Sequence, residues 1–172
     1  MPKVFLVTGT STGFGHDLIQ EVLNRGVIQQ VTSVGGQRGA AAFSMYAASK
    51  WAVEGFTESL SKEVKPEWGI KFTCLEPGGF RTDWAGRSMA FTDRHPEYDH
   101  IDAKALMMAR NGTRPGDPRK AAKAFYDLAT MENPPLRILL GTDAYPAILA
   151  RLESERENFL KYEQLSLNTD VD

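Results

Sequence analysis

The chain has 172 residues, enough to bury a core but short for a two-domain enzyme. With 42% apolar residues, 24% charged residues and a formal net charge of -2, neither a nucleic-acid-binding nor a membrane-coating surface is expected. The opening "MPKVFLVTGT" holds an apolar run too short for a signal-peptide core or a membrane span, so a cytoplasmic protein is expected.

Residues Lys3 to Thr8 read as a buried parallel strand, a continuous apolar run ending in a Thr-Gly turn. From Phe14, Leu18, Ile19, Val22 and Leu23 recur at helical spacing, and Gly26 supplies the stop. A short strand follows from about Val27 to Ser33. Beyond the loop "GGQRGAAA", a helix is predicted from about Ser44 to Lys65, with Val53, Phe56, Leu60 and Val64 on one stripe and Pro66 past its end. The next strand is Ile70 to Leu75. It contains Cys74, the single cysteine, which can form no internal disulfide and reads as a packed strand thiol.

Residues 80–116 are irregular apart from one helical piece near Asp102 to Arg110, a length that suggests a substrate lid or a mobile segment. Asp117 as N-cap and Pro118 as first residue open a helix carrying Phe125 and Leu128. "LRILLG" reads as a further buried strand, and a charged helix and tail occupy residues 146–172. The alternation of strand and helix predicts an α/β protein with a mostly parallel sheet. No repeat, low-complexity tract or linker divides the chain, so residues 1–172 are expected to form a single domain.

Three features carry chemistry. "TGTSTGFG" places Gly9, Gly13 and Gly15, with Phe14 among them, between the first strand and its helix, where a backbone can approach a pyrophosphate. The same glycines could instead serve only the turn. The absence of a Gly-Lys-Ser/Thr sequence after them disfavours nucleoside triphosphate chemistry. "YAASK" sets Tyr46 and Lys50 four residues apart on one helical face. An ammonium near a phenol stabilises phenolate, which makes the group a more useful proton donor or acceptor near neutrality. Ser33, at the carboxyl edge of its strand, could orient a carbonyl oxygen, and the three together suggest carbonyl–alcohol chemistry.

Ser33 thirteen positions before Tyr46, Lys50 four after it, the glycine loop and "PGGFRT" form a constellation that resembles the short-chain dehydrogenase/reductase family. The resemblance implies a Rossmann-like doubly wound sheet and an NAD(P)-dependent oxidoreductase that interconverts a carbonyl compound and an alcohol by hydride transfer. It implies that Gly9, Gly13, Phe14 and Gly15 hold the cofactor pyrophosphate, with NAD or NADP as cofactor. Ser33 would position the carbonyl, Tyr46 would exchange its proton, and Lys50 would tune Tyr46 and bind the nicotinamide ribose. Pro77, Gly78, Phe80 and Thr82 match the segment that holds the nicotinamide carboxamide. Trp84, Met89, Phe91, Tyr98, Met107 and Met108 could line an apolar substrate pocket or simply pack the lid. His16, His95 and His100 lack metal-ligand spacing, and no metal is expected.

A family member should carry further strand–helix units between the first helix and the Ser33 strand, roughly 90 residues that are missing at the junction of Gly26 and Val27. A truncated sheet of about four strands is therefore expected. Its first strand either pairs directly with the Ser33 strand or is covered by another chain, which leaves a homo-oligomer open. An inactive truncated isoform, or a binding or dimerising module, is the alternative to an enzyme.

Overall fold

The computed structural model describes residues 3–7, 26–86, 89–93 and 95–171; for residues 3–7 only the backbone is considered. Four strands form one parallel sheet in sequential order: β1 (Lys3–Val7), β2 (Gly26–Val31), β3 (Lys71–Pro77) and β4 (Arg137–Leu140). β1 pairs directly with β2, Val4 opposite Val27 and Phe5 opposite Ile28. The truncated sheet expected from the sequence is therefore present, closed by this pairing. β2 continues to β3 with Ile28 opposite Phe72, and β3 to β4 with Leu75 opposite Ile138.

Five helices accompany the described strands: α1 (Ser44–Glu63), α2 (Ala103–Met108), α3 (Pro118–Ala129), α4 (Ala144–Lys161) and α5 (Glu163–Leu167). Neighbouring strand residues point to opposite faces, and β2 shows that both faces are covered. Ile28 packs with Ile70 and Phe72 beneath Leu60 and Val64 around the end of α1. The next residue, Gln29, donates its side-chain amide to the carbonyl of Phe125 in α3 at 2.8 Å. This layered, doubly wound arrangement is Rossmann-like. None of the described helices is long and apolar enough to cross a membrane.

Several boundaries differ from the sequence reading. β2 stops at Val31, so Ser33 lies just past the strand and N-caps a short 3-10 turn, Val34–Gly36. Gly26 is the first residue of β2 with φ 124°, a conformation that favours glycine. β3 runs two residues beyond Leu75 to Pro77. The buried stripe of α1 comprises Ala47, Glu54 and Thr57, while Phe56 is exposed. β4 is half-buried rather than buried, because it is the edge of the described sheet. The last helix begins at Ala144 and breaks at Tyr162 before α5.

The caps follow ordinary rules. Asp117 accepts from Arg119 N at 2.8 Å ahead of Pro118, and Asp102 accepts from Ala105 N at 2.8 Å. Cys74 is fully buried, and burial pushes its thiol up to about 12, consistent with a packed strand residue.

Candidate active site

The carboxyl ends of β2 and β3 open onto a cavity of about 750 Å³. One wall is the stretch after β2 together with the first turns of α1, and it contributes Ser33, Tyr46 and Lys50. Another is the end of β3 with the turn after it, and it contributes Pro77, Gly78, Phe80 and Thr82. Seven residues singled out in the sequence, three by their offsets and four by the family resemblance, thus line one space. Gly9, Gly13, Phe14 and Gly15 lie outside the described residues, as does His16.

Ser33 is held by backbone geometry. Its Oγ accepts the amide N–H of Gly35 at 3.0 Å, and its carbonyl accepts the N–H of Gly36 at 2.8 Å. Since the hydroxyl is used as an acceptor, its own proton remains available to donate. Gly35 sets the distance to the phenol. A Cβ placed on it would lie 2.8 Å from Cε1 of Tyr46 and 3.5 Å from Oγ of Ser33. Serine and tyrosine therefore flank the same bare stretch of backbone. Gly36 allows a similar approach, since a Cβ there would meet Glu54 at 2.9 Å.

Lys50 reaches back under the strand end. Its Nζ donates to the carbonyl of Val31 at 3.2 Å and sits 5.8 Å from the centroid of the Tyr46 ring. That single carbonyl leaves two of its three N–H donors for other partners. Burial pushes the ammonium down from the ordinary lysine range.

Across the cavity, Asp143 orders the turn after β3. Its Oδ2 accepts the N–H of Gly79 at 2.8 Å, and its Oδ1 accepts the N–H of Ala144 at 3.0 Å, capping α4. A side chain on Gly78 would collide with this carboxylate. The N–H of Gly78 is taken by the carbonyl of Leu140 at 2.9 Å, which joins the turn to β4. Thr82 accepts weakly from Trp84 N at 3.4 Å, leaving its hydroxyl proton free.

The segment from 80 to 116 is tied at its base. Gly116 donates to the carbonyl of Gly79 at 2.9 Å and accepts from Arg81 N at 3.0 Å. Of its apolar residues, Phe80, Trp84 and Met107 line the cavity, whereas Met89, Phe91, Tyr98 and Met108 do not; Tyr98 packs with His95 and His100 instead. The Trp84 ring lies 5.5 Å from that of Tyr46 and stacks on Phe43 at 6.5 Å, so the phenol is walled by aromatic surface. Among the described residues no group of three His, Cys, Asp or Glu side chains could hold a metal ion.

Sequence reasoning missed Gly35, Asp143 and Phe43. The pair "GG" after Ser33 was a signal for close backbone approach, and "TDAYP" was a signal for a helix cap. Nothing local marked Phe43, since only the fold brings it to Trp84.

Sequence and fold resemble known proteins. Residues 19–92 match the model of the short chain dehydrogenase family. An oxidoreductase from Botryotinia fuckeliana is 41% identical over 146 residues, covering 83% of this chain and 52% of the relative. The crystal structure of a short-chain dehydrogenase from Streptomyces avermitilis superposes with TM-score 0.77 at 34% identity, covering 91% of this chain and 58% of that one. A gluconate 5-dehydrogenase from Burkholderia cenocepacia, solved in complex with NADP and tartrate, shares the fold at TM-score 0.52 and 18% identity, covering 77% of this chain and 51% of that one. The chain spans about half the length of the curated relatives it matches. With sequence and sheet in agreement, this chain belongs to the short chain dehydrogenase family.

Proposed function

We propose that this chain is an NAD(P)-dependent oxidoreductase interconverting a carbonyl compound and an alcohol. The reading rests on one observation: Ser33, Tyr46 and Lys50 line a single cavity together with Pro77, Gly78, Phe80 and Thr82. The residues described at the nicotinamide end suit such a cofactor. Lys50 retains donors for a ribose, and Thr82 retains a hydroxyl proton for a carboxamide oxygen. Gly78 and Gly79 keep the turn flat against Asp143, so its backbone can face a planar ring. Gly9, Gly13, Phe14 and Gly15 would take the pyrophosphate.

When bound, the nicotinamide would supply or accept the hydride. Each protein group then has a defined task. The Ser33 hydroxyl, fixed by Gly35 N, donates to the carbonyl oxygen and orients it. The Tyr46 hydroxyl gives that oxygen its proton in reduction and takes it back in oxidation. Lys50, anchored on Val31, keeps a positive charge beside the phenol while the proton is away. Trp84 and Phe43 exclude water from one side of that phenol.

Titration of the purified chain with NADH and NADPH, followed by nucleotide fluorescence, tests the reading, with saturable binding as the expected result. Tyr46→Phe should then abolish turnover and leave nucleotide affinity nearly unchanged. Failure to bind either nucleotide would remove the enzyme reading in favour of a non-catalytic module, as the roughly half-length match to relatives would suggest.

A further inference from the structure

The cavity is strongly unbalanced in charge. Arg38, Lys50, Arg110 and Arg114 line it, against the single carboxylate of Asp143. Asp143 keeps its negative charge while it accepts the N–H groups of Gly79 and Ala144, so four cations stand against one anion in the lining. Among the described residues, none of the three guanidiniums has a carboxylate within ion-pair distance. Low-dielectric walls around unpaired cations focus the field on whatever enters.

Arg114 is the most constrained of them. Its guanidinium lies 5.7 Å over the Trp84 ring, and Nη2 meets the Met107 sulfur at 3.9 Å. Gly79 makes room for it, since a Cβ there would sit 3.2 Å from Nη1. Its own carbonyl is fixed by Arg81 Nε at 2.7 Å. All these contacts orient the planar fork, and none of them neutralises it. Trp84 is also the ring beside Tyr46, so the cation lies one aromatic ring away from the phenol. Arg38 and Arg110 are exposed and stand where rim charges steer an incoming anion. Met107 and Phe125 add apolar surface to the same cavity.

We propose that the cavity takes a carbonyl compound bearing an anionic group, such as a keto acid. Its anion would engage Arg114 and Arg110 while its carbonyl faces Tyr46. The assignment of the carbonyl end rests on the function proposed above; the assignment of the anion does not.

Isothermal titration calorimetry of the full chain with 4-oxooctanoate and with its methyl ester tests this without turnover. The acid is expected to bind at least about tenfold more tightly than the ester, a preference that shrinks as salt is raised. A chain carrying Arg114→Met and Arg110→Gln should lose the preference and bind the ester as before. If that double variant does not fold, Arg110→Gln alone, at an exposed position, should still lower the preference about threefold or more. Equal binding of acid and ester, binding of neither, or a preference that survives the substitutions would overturn the proposal. So would weakened NADH and NADPH binding in the double variant with acid preference intact, which would assign these arginines to cofactor phosphates. A chain that binds the acid but neither nucleotide would sink the oxidoreductase reading and leave the anion site standing.

Discussion

Gly35→Ala puts the link between the Ser33 turn and the Tyr46 phenol to a direct test. The φ of Gly35 is outside the left-handed region, so alanine meets no backbone strain there. In open space the change would stabilise the protein by about 0.4–1 kcal/mol, by restricting the unfolded chain. The space is not open, because the new methyl would lie 2.8 Å from Cε1 of Tyr46. Ordinary carbon contacts are about 3.5–4.0 Å, so ring or turn must yield by roughly 0.7 Å. Overpacking of this kind costs about 1–3 kcal/mol, which outweighs the entropic gain. A net loss of roughly 1 kcal/mol lowers Tm by about 2–4 °C in a chain of this size. The catalytic effect should be larger, since a misplacement of about 1 Å can cost ~100-fold in rate. Differential scanning calorimetry and single-turnover reduction of a carbonyl substrate would measure the two effects. If Gly35→Ala were as stable and as active as the parent chain, the turn would not be setting the position of the phenol, and the geometric argument would fail.

Other expectations concern the polar groups around the site. Arg137 donates to Glu54 at 2.9 Å and Glu58 at 2.8 Å and lies 3.8 Å from the fully buried Glu76. Because Glu54 and Glu76 would remain buried without it, Arg137→Met should cost about 2–4 kcal/mol in urea unfolding, and a cost below about 1 kcal/mol would contradict this role. Burial pushes the Glu76 carboxyl up to about 7, helped by Glu54 and opposed by Gln37 and Arg137. The unfolded chain releases this proton in the usual carboxylate range and the folded chain keeps it up to about pH 7, so this group's contribution to stability should fall as pH rises from about 5 to about 7. That loss, on the order of 1–3 kcal/mol, should vanish in Glu76→Gln, and an unchanged pH profile there would refute the assignment. Asp143→Ala removes the cap of α4 and the acceptor for Gly79, and should cost about 1–2 kcal/mol in thermal unfolding. It should also raise KM for the nucleotide more than it lowers kcat; the reverse pattern would place Asp143 in the chemistry itself.

Much of the molecule was legible from local pattern. The apolar runs, Asp117 before Pro118 and Pro66 after the long helix act within a few residues, so their elements follow from the chain alone. The offsets among Ser33, Tyr46 and Lys50 were likewise readable, because each member sits near a strand end or on one helical turn, whereas the turn beginning at Pro77 stood out only through the family resemblance. The α1 face was misread at Phe56 because periodicity counts apolar residues, whereas the fold buries Glu54 and Thr57 against polar groups on β3 and β4. Glu54 and Glu76 are buried through partners far along the chain: Arg137 from β4, and Gln37 from the turn after β2 at 2.6 Å.

What the sequence by itself determined is an α/β chain in which Ser33, Tyr46 and Lys50 stand at fixed offsets a short path after the first strand. Those are properties of spacing. Only the tertiary structure decided that β1 closes directly on β2 and that Ser33 lies beyond the strand in a capped turn. It also decided that Trp84 carries Arg114 to within a ring of Tyr46. The physical reason is that edge pairing, close backbone approach and an unneutralised guanidinium depend on which distant segments meet. No window of the sequence contains both partners.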